Sequence, residues 1–310
     1  MKKYRSLWTM LIFVVVIGSS LLLFGCGGGS GSGDGAVSSV SSADGVITGT
    51  AVKGPVSNAT VKAYAINNGL MGAQIGTGTT DAQGNFTLTI GSYSGPVMLQ
   101  MSGGTYTDEA TGNSITMQPG DVMTSIMPQA VAGAVMGGVQ ITPLTSMAQV
   151  RAQTMSGGMT PANIAAANTA MGNYFSVNDI LYTHPMNPLT PGSGSGATQD
   201  MRNYGIMLAA MSQYANSIGM PFSSGIVTTM MNDAADGFMD GRMGGNQIMM
   251  GGRGGMMGTV NNPLSSAAGT TGLASAMVAF MGSAQNKSGL SFTDMQALHN
   301  KIHGSGGQIQ

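Results

Sequence analysis

Apolar and polar positions alternate with a period of two in three short runs: Thr60-Val61-Lys62-Ala63-Tyr64-Ala65, Phe86-Thr87-Leu88-Thr89-Ile90 and Val97-Met98-Leu99-Gln100-Met101. Successive side chains of a strand point to opposite faces, so the pattern predicts strands with Phe86, Leu88 and Ile90 turned inward. By the same alternation Met98 and Met101 fall on opposite faces. Asp81-Ala82-Gln83-Gly84-Asn85 separates two runs and reads as a hairpin turn, with Gly84 taking the positive φ. Four to six short strands at this spacing predict a small antiparallel sandwich.

After Pro119 the pattern reads as helical. Thr160-Pro161 is an N-cap followed by proline at the first helical position, opening a helix that runs through Ile164, Asn168 and Met171 to Gly172. A second helix is predicted over 199–218, where Tyr204, Met207, Leu208, Met211, Tyr214, Ala215 and Ile218 form one apolar stripe. Further helices are expected over 223–236 and 273–283. A last one opens at Ser291, with Asp294 three residues on in a capping-box pattern. Residues 185–196 form a Pro/Gly/Ser loop. Residues 241–262, rich in Gly and Met, read as a mobile loop. The expected fold class is α+β in more than one domain: an antiparallel β-sandwich over 46–117, then a mostly α-helical region over 118–310.

The chain opens with Lys2, Lys3 and Arg5, continues with an apolar run, and reaches Leu23-Phe24-Gly25-Cys26. Cations before a short apolar segment make a secretory leader, which lies outside the fold. The four residues ending at the only cysteine resemble the lipobox of bacterial lipoproteins. That resemblance implies cleavage after residue 25, acylation of Cys26 and a membrane anchor. The alternative is an uncut signal anchor, disfavoured by Thr9, Gly18, Ser19 and Ser20 within the apolar run. Several acyl chains on one residue anchor durably, whereas a single chain anchors only marginally. Gly27, in place of the aspartate that often retains such proteins in the inner membrane, implies an outer-membrane address. Residues 26–45 then serve as lipidated cysteine and Gly/Ser tether, reaching on the order of 25 Å.

A second resemblance covers about residues 45–117. Gly45-Val46-Ile47-Thr48-Gly49-Thr50-Ala51-Val52, Gly54-Pro55-Val56, Ala59-Thr60-Val61 and Thr80-Asp81-Ala82-Gln83-Gly84-Asn85-Phe86 are similar to the carboxypeptidase regulatory-like domain, a prealbumin-type (transthyretin-like) β-sandwich. It implies a non-catalytic structural or adhesive module, with no catalytic residues to carry over. Ile141-Thr142-Pro143-Leu144-Thr145-Ser146-Met147-Ala148 resembles a segment that follows such sandwiches in bacterial lipoproteins.

Composition narrows the choice. Without residues 1–25, eight basic residues face twelve acidic ones, a net charge of −4, and the cations are scattered. Binding to several phosphates needs clustered Lys or Arg, so nucleic acid is excluded as the expected partner. With Cys26 acylated no thiol remains for a disulfide or a thiolate metal site. Only 7% of residues are charged, and Glu109 is the single glutamate. Such a surface favours weak association over charge-based solubility.

Candidate chemistry is thin. His299 and His303 have the i, i+4 spacing of a metal pair, but Asn300 stands where a zincin has its glutamate, and no acid completes the set. Asp233, Asp236 and Asp240 lack the alternation and closing Glu of an EF-hand, so helix-end acids with Gly237 as C-cap are expected. No Ser sits in a G-x-S-x-G elbow. Methionine is in excess at 29 residues. Met243, Met249, Met250, Met256 and Met257 are weak candidates for a soft Cu(I) or Ag(I) site, against the commoner use of Met as core filler. No catalytic residue and no cofactor is expected. The function expected is a non-enzymatic binding, adhesive or scaffold role in the cell envelope, engaging an envelope protein or extracellular polymer. The alternatives are soft-metal binding and a hydrolase with an unrecognised site.

Overall fold

The computed structural model describes residues 43–250 and 263–310. Cys26, Met256 and Met257 lie outside the described residues.

The three alternating runs are strands. β1 (Val46–Ala51) precedes β2 (Thr60–Asn67), β3 (Leu70–Thr79), β4 (Asn85–Thr89) and β5 (Gly95–Ser102). Phe86 and Leu88 on β4, and Ile90 just after it, are buried while Thr87 and Thr89 are exposed, as the period of two requires. The turn at 81–85 has a different role from the one expected. Gly84 has φ +80°, and Asp81 Oδ1 accepts from the amides of Gln83 and Asn85 at 2.8 Å each. Yet β3 and β4 are not paired. The turn passes the chain from one sheet to the other, β4 pairing with β1 and β3 with β2.

Residues 118–141 correct the helical expectation. A short hairpin of β6 (Thr105–Thr107) and β7 (Ser114–Thr116) leads into β8 (Val122–Ala130) and β9 (Val135–Ile141). β8 forms the end of the four-stranded sheet β3-β2-β5-β8, and β9 pairs parallel with β1 in the sheet β4-β1-β9. The strand region therefore continues past residue 117. The period of two is lost in β8 because residues 123–127 are all buried, and in a strand covered on both faces Thr124 and Ser125 are packed inside along with Met123, Ile126 and Met127. The same holds for β5, where Met98 and Met101 are both buried although they face opposite ways. At Gly49 a Cβ would lie 1.8 Å from the Val139 carbonyl oxygen, so only glycine lets β1 and β9 pair closely.

Six helices follow among the described residues: α1 (Pro143–Thr154), α2 (Pro161–Phe175), α3 (Gln199–Ser217), α4 (Ser224–Ala234), α5 (Thr271–Met281) and α6 (Phe292–Gly304). Thr142 caps α1 with a capping box through Thr145, Thr160 caps α2, and Ser291 with Asp294 caps α6. α2 runs three residues past Gly172 and ends where Ser176 takes a left-handed conformation. The first part of the Gly/Met stretch is a two-residue ladder, β10 (Arg242–Met243) against β11 (Asn246–Gln247), turned by Gly244 and Gly245 at positive φ.

Strand and helix residues share one apolar core, and the described residues form one compact unit. Sixteen methionines are buried in that core, among them Met101, Met123, Met147, Met207, Met211 and Met277. Most of the methionine excess is therefore packing. An unbranched, polarizable side chain fills the irregular space between sheets and helices. No helix of the described residues is long and apolar enough to cross a membrane.

Candidate functional site

The chain's only glutamate and a fully buried lysine meet between the strand region and the helices. Lys53 follows β1 in Val52-Lys53-Gly54-Pro55, and Gly54, at φ +61°, allows the Thr107 carbonyl to approach. Tyr106, Asp108 and Glu109 come from β6 and the turn after it. Asp108 holds that turn by accepting from the amides of Ala110 and Thr111 at 3.1 and 3.0 Å. Ser212 comes from α3, and Ser223 and Ser224 from the start of α4. None of these seven side chains is more than 5% exposed.

Lys53 Nζ lies 3.1 Å from Glu109 Oε2, the one ion pair among the described residues. It also donates to Ser212 Oγ and, at 3.3 Å, to Ser223 Oγ, and it sits 5.4 Å from the Tyr106 ring centre. Glu109 Oε2 accepts from Ser212 Oγ at 2.6 Å, and Oε1 accepts from the Gly54 amide at 2.7 Å. Ser223 donates to Asp108 Oδ2 and bonds the Tyr106 hydroxyl at 2.9 Å, which accepts from the Ser224 amide at 3.0 Å. Ser224 Oγ donates to Asp121 Oδ2 at 2.5 Å. Every ammonium proton and both glutamate oxygens are thus matched.

Burial pushes the Lys53 pKa down, but Glu109, Tyr106 and Asp108 outweigh it and the net direction is up. A lysine that serves as general base for a serine must be neutral, so this ammonium does not play that part as it stands. Beside the cluster opens a cavity of about 50 Å³, lined in part by Gly54, Pro55, Glu109, His184 and Met186.

The cluster was not legible as a site in the sequence. Lys53 reads as one of eight scattered cations, Ser212 interrupts an apolar stripe, and Ser223 reads as a helix start. The available signal was compositional. In a chain this poor in charge, a lone glutamate beside an aspartate is unusual, as is a lysine flanked by Val52 and Gly54-Pro55.

The residues singled out from sequence fall elsewhere. Met243 and Met249 are exposed, while Met250 packs partly against the core. His299 and His303 stack at 5.7 Å, with Phe292 edge-on to His299. No group of three or more His, Cys, Asp or Glu among the described residues is placed to hold a metal ion. Asp236 and Asp240 are spent on local turns, accepting from the Phe238 and Arg242 amides. Asp233 is buried, and its Oδ1 accepts from the amides of Asp240 and Gly241 at 3.0 and 2.6 Å. Its Oδ2 has no hydrogen-bond partner. Burial raises its pKa to about 7.

No family model and no curated protein matches the chain. Among solved structures, a crystal structure of a 9R-lipoxygenase from Cyanothece PCC8801 aligns at 11% identity and a TM-score of 0.21. The alignment covers 65% of this chain and 26% of that one, and so weak a likeness carries no argument about fold or function.

Proposed function

We propose that this is a lipid-anchored envelope protein, held at the outer membrane by acylated Cys26, that acts without catalysis by presenting a prealbumin-like β-sandwich and its helical partner to another envelope protein or polymer. The observation that carries the binding role is the edge strand β3. It is ten residues long, pairs only with β2 among the described residues, contains no charged residue or proline, and leaves Leu70 and Met71 exposed. Natural edges are usually blunted by charge, proline or a covering element, because an open edge adds strands from other chains. The Thr89 and Thr87 carbonyls of β4 approach Gly76 and Gly78, so β3 is open over its first half, which suits capture of an extended segment with main-chain hydrogen bonds giving affinity.

Two experiments test this reading. Ala73→Lys with Gln74→Lys on β3 should abolish capture of a partner while leaving the thermal midpoint within a few degrees; capture that survives both lysines removes the edge from the proposal. Cys26→Ala should leave uncleaved, unacylated precursor, and normal maturation of that variant would remove the anchor.

A further inference from the structure

We propose that Lys53 and Glu109 are a modification site: the two side chains condense within the folded protein into an isopeptide bond that ties the end of β1 to the turn after β6. The inference stands on the buried cluster and is independent of the anchor and of the β3 edge.

The cluster holds what such a step requires. Nζ is 3.1 Å from Oε2, so the ion pair holds the nucleophile beside the acyl group it would attack, and holding reactants in place supplies much of a barrier. Ser212 touches both partners, accepting from Nζ and donating to Oε2 at 2.6 Å, which makes it a relay between them. The Gly54 amide, 2.7 Å from Oε1, points at the oxygen that becomes an oxyanion when Cδ is attacked. Ser223, bonded to Asp108, holds the ammonium from the other side and positions it.

In the ion pair the nitrogen carries three protons and the carboxylate none. One proton passes through Ser212 to Oε2, leaving a neutral amine and a neutral acid. The nitrogen lone pair attacks Cδ, the N–C bond forms, and negative charge collects on Oε1 facing the Gly54 amide. A second proton follows the same relay to Oε2, the Cδ–Oε2 bond breaks with its electron pair, and water departs. The third proton stays on the amide nitrogen. No oxidant or co-reactant enters.

Burial supplies the direction. Condensation replaces two desolvated charges by one neutral amide, removing the cost of keeping an ion pair out of water. The expelled water leaves through the adjoining cavity, which Gly54 and Glu109 line and whose volume of about 50 Å³ exceeds what one water needs. With Lys53 fully buried and Glu109 2% exposed, water is kept from reversing the reaction.

Mass spectrometry of peptides from the full-length chain, purified from whole cells and digested after denaturation, decides the matter. The expected result is a branched peptide joining the segment that carries Lys53 to the one that carries Glu109, lighter by one water than the two together. Only linear peptides with free Lys53 and free Glu109 would overturn the proposal, with no variant needed. Lys53→Arg keeps the charge but cannot condense in this way and should yield linear peptides alone. Ser212→Ala keeps the ion pair and removes the relay. It should leave the bond unformed, and a bond made as fast as in the wild type would refute the role of Ser212.

Discussion

Two buried carboxylates in this protein have opposite surroundings. Glu109 receives an ammonium, a hydroxyl and a backbone amide, shared over both oxygens. Asp233 receives backbone amides on Oδ1 and nothing on Oδ2, with Asp240, Tyr174 and Tyr214 as its electrostatic neighbours. The first sits where strands meet helices, and its partners come from α3 and from the segment between β1 and β2. The second sits at the end of α4, held by its own loop. A buried charge is tolerated where several elements converge to match it; where only a local loop supplies donors, burial favours the neutral acid.

The largest effect should come from breaking the matched pair. Glu109→Ala leaves Lys53 buried with its main counter-charge gone, and a loss of about 3–5 kcal/mol is expected in urea unfolding. Replacing both residues with apolar ones, as in Lys53→Met with Glu109→Leu, should cost less than either single change. A double variant as unstable as the sum of the singles would mean that the two residues are not coupled, and would overturn the reading of a matched pair.

The unmatched carboxylate should show itself through pH. An aspartate whose folded pKa is about 7, against 3.8 for the free group, binds a proton more tightly when folded. Its contribution is fully present below about pH 4, is lost as pH rises to about 7, and stays lost above that. The decline should be on the order of 2–4 kcal/mol in unfolding free energy across that window, and Asp233→Asn should flatten it. A wild-type profile that is level from pH 4 to 7 would show that Oδ2 finds a donor in solution.

A smaller effect tests the helical side alone. Thr160 accepts from the Asn163 amide at 3.2 Å at the start of α2. Thr160→Ala should cost about 1 kcal/mol in thermal or urea unfolding, without pH dependence. The smallest effect belongs to the exposed methionines. Met243→Leu with Met249→Leu should change stability by less than about 0.5 kcal/mol. Titration of both forms with Ag(I), followed by calorimetry, should give the same heats, and binding lost in the variant would bring the soft-metal reading forward.

Local rules on the chain were enough to place the strands at β2, β4 and β5, the caps of α2 and α6, and the stripe of α3. Each depends on a periodicity or a capping bond spanning only a few residues. Alternation failed at β8 and β9. Burial on both faces took in even Thr124 and Ser125 of one, and the other joins β1 in a parallel pairing, made close by Gly49, that no local signal announces. The turn at 81–85 kept its geometry but not its partner, since a five-residue bend is the same whether it joins neighbours or crosses between sheets. The buried cluster was least legible of all. Lys53, Glu109 and Ser212 are separated by more than fifty residues at each step, and nothing in the spacing of one names the others. What the sequence by itself determined is the alternation, capping and composition. Which strands pair, and that a lone glutamate faces a buried lysine, was decided by tertiary packing, because a charge can stay out of water only where distant parts of the chain bring it a partner.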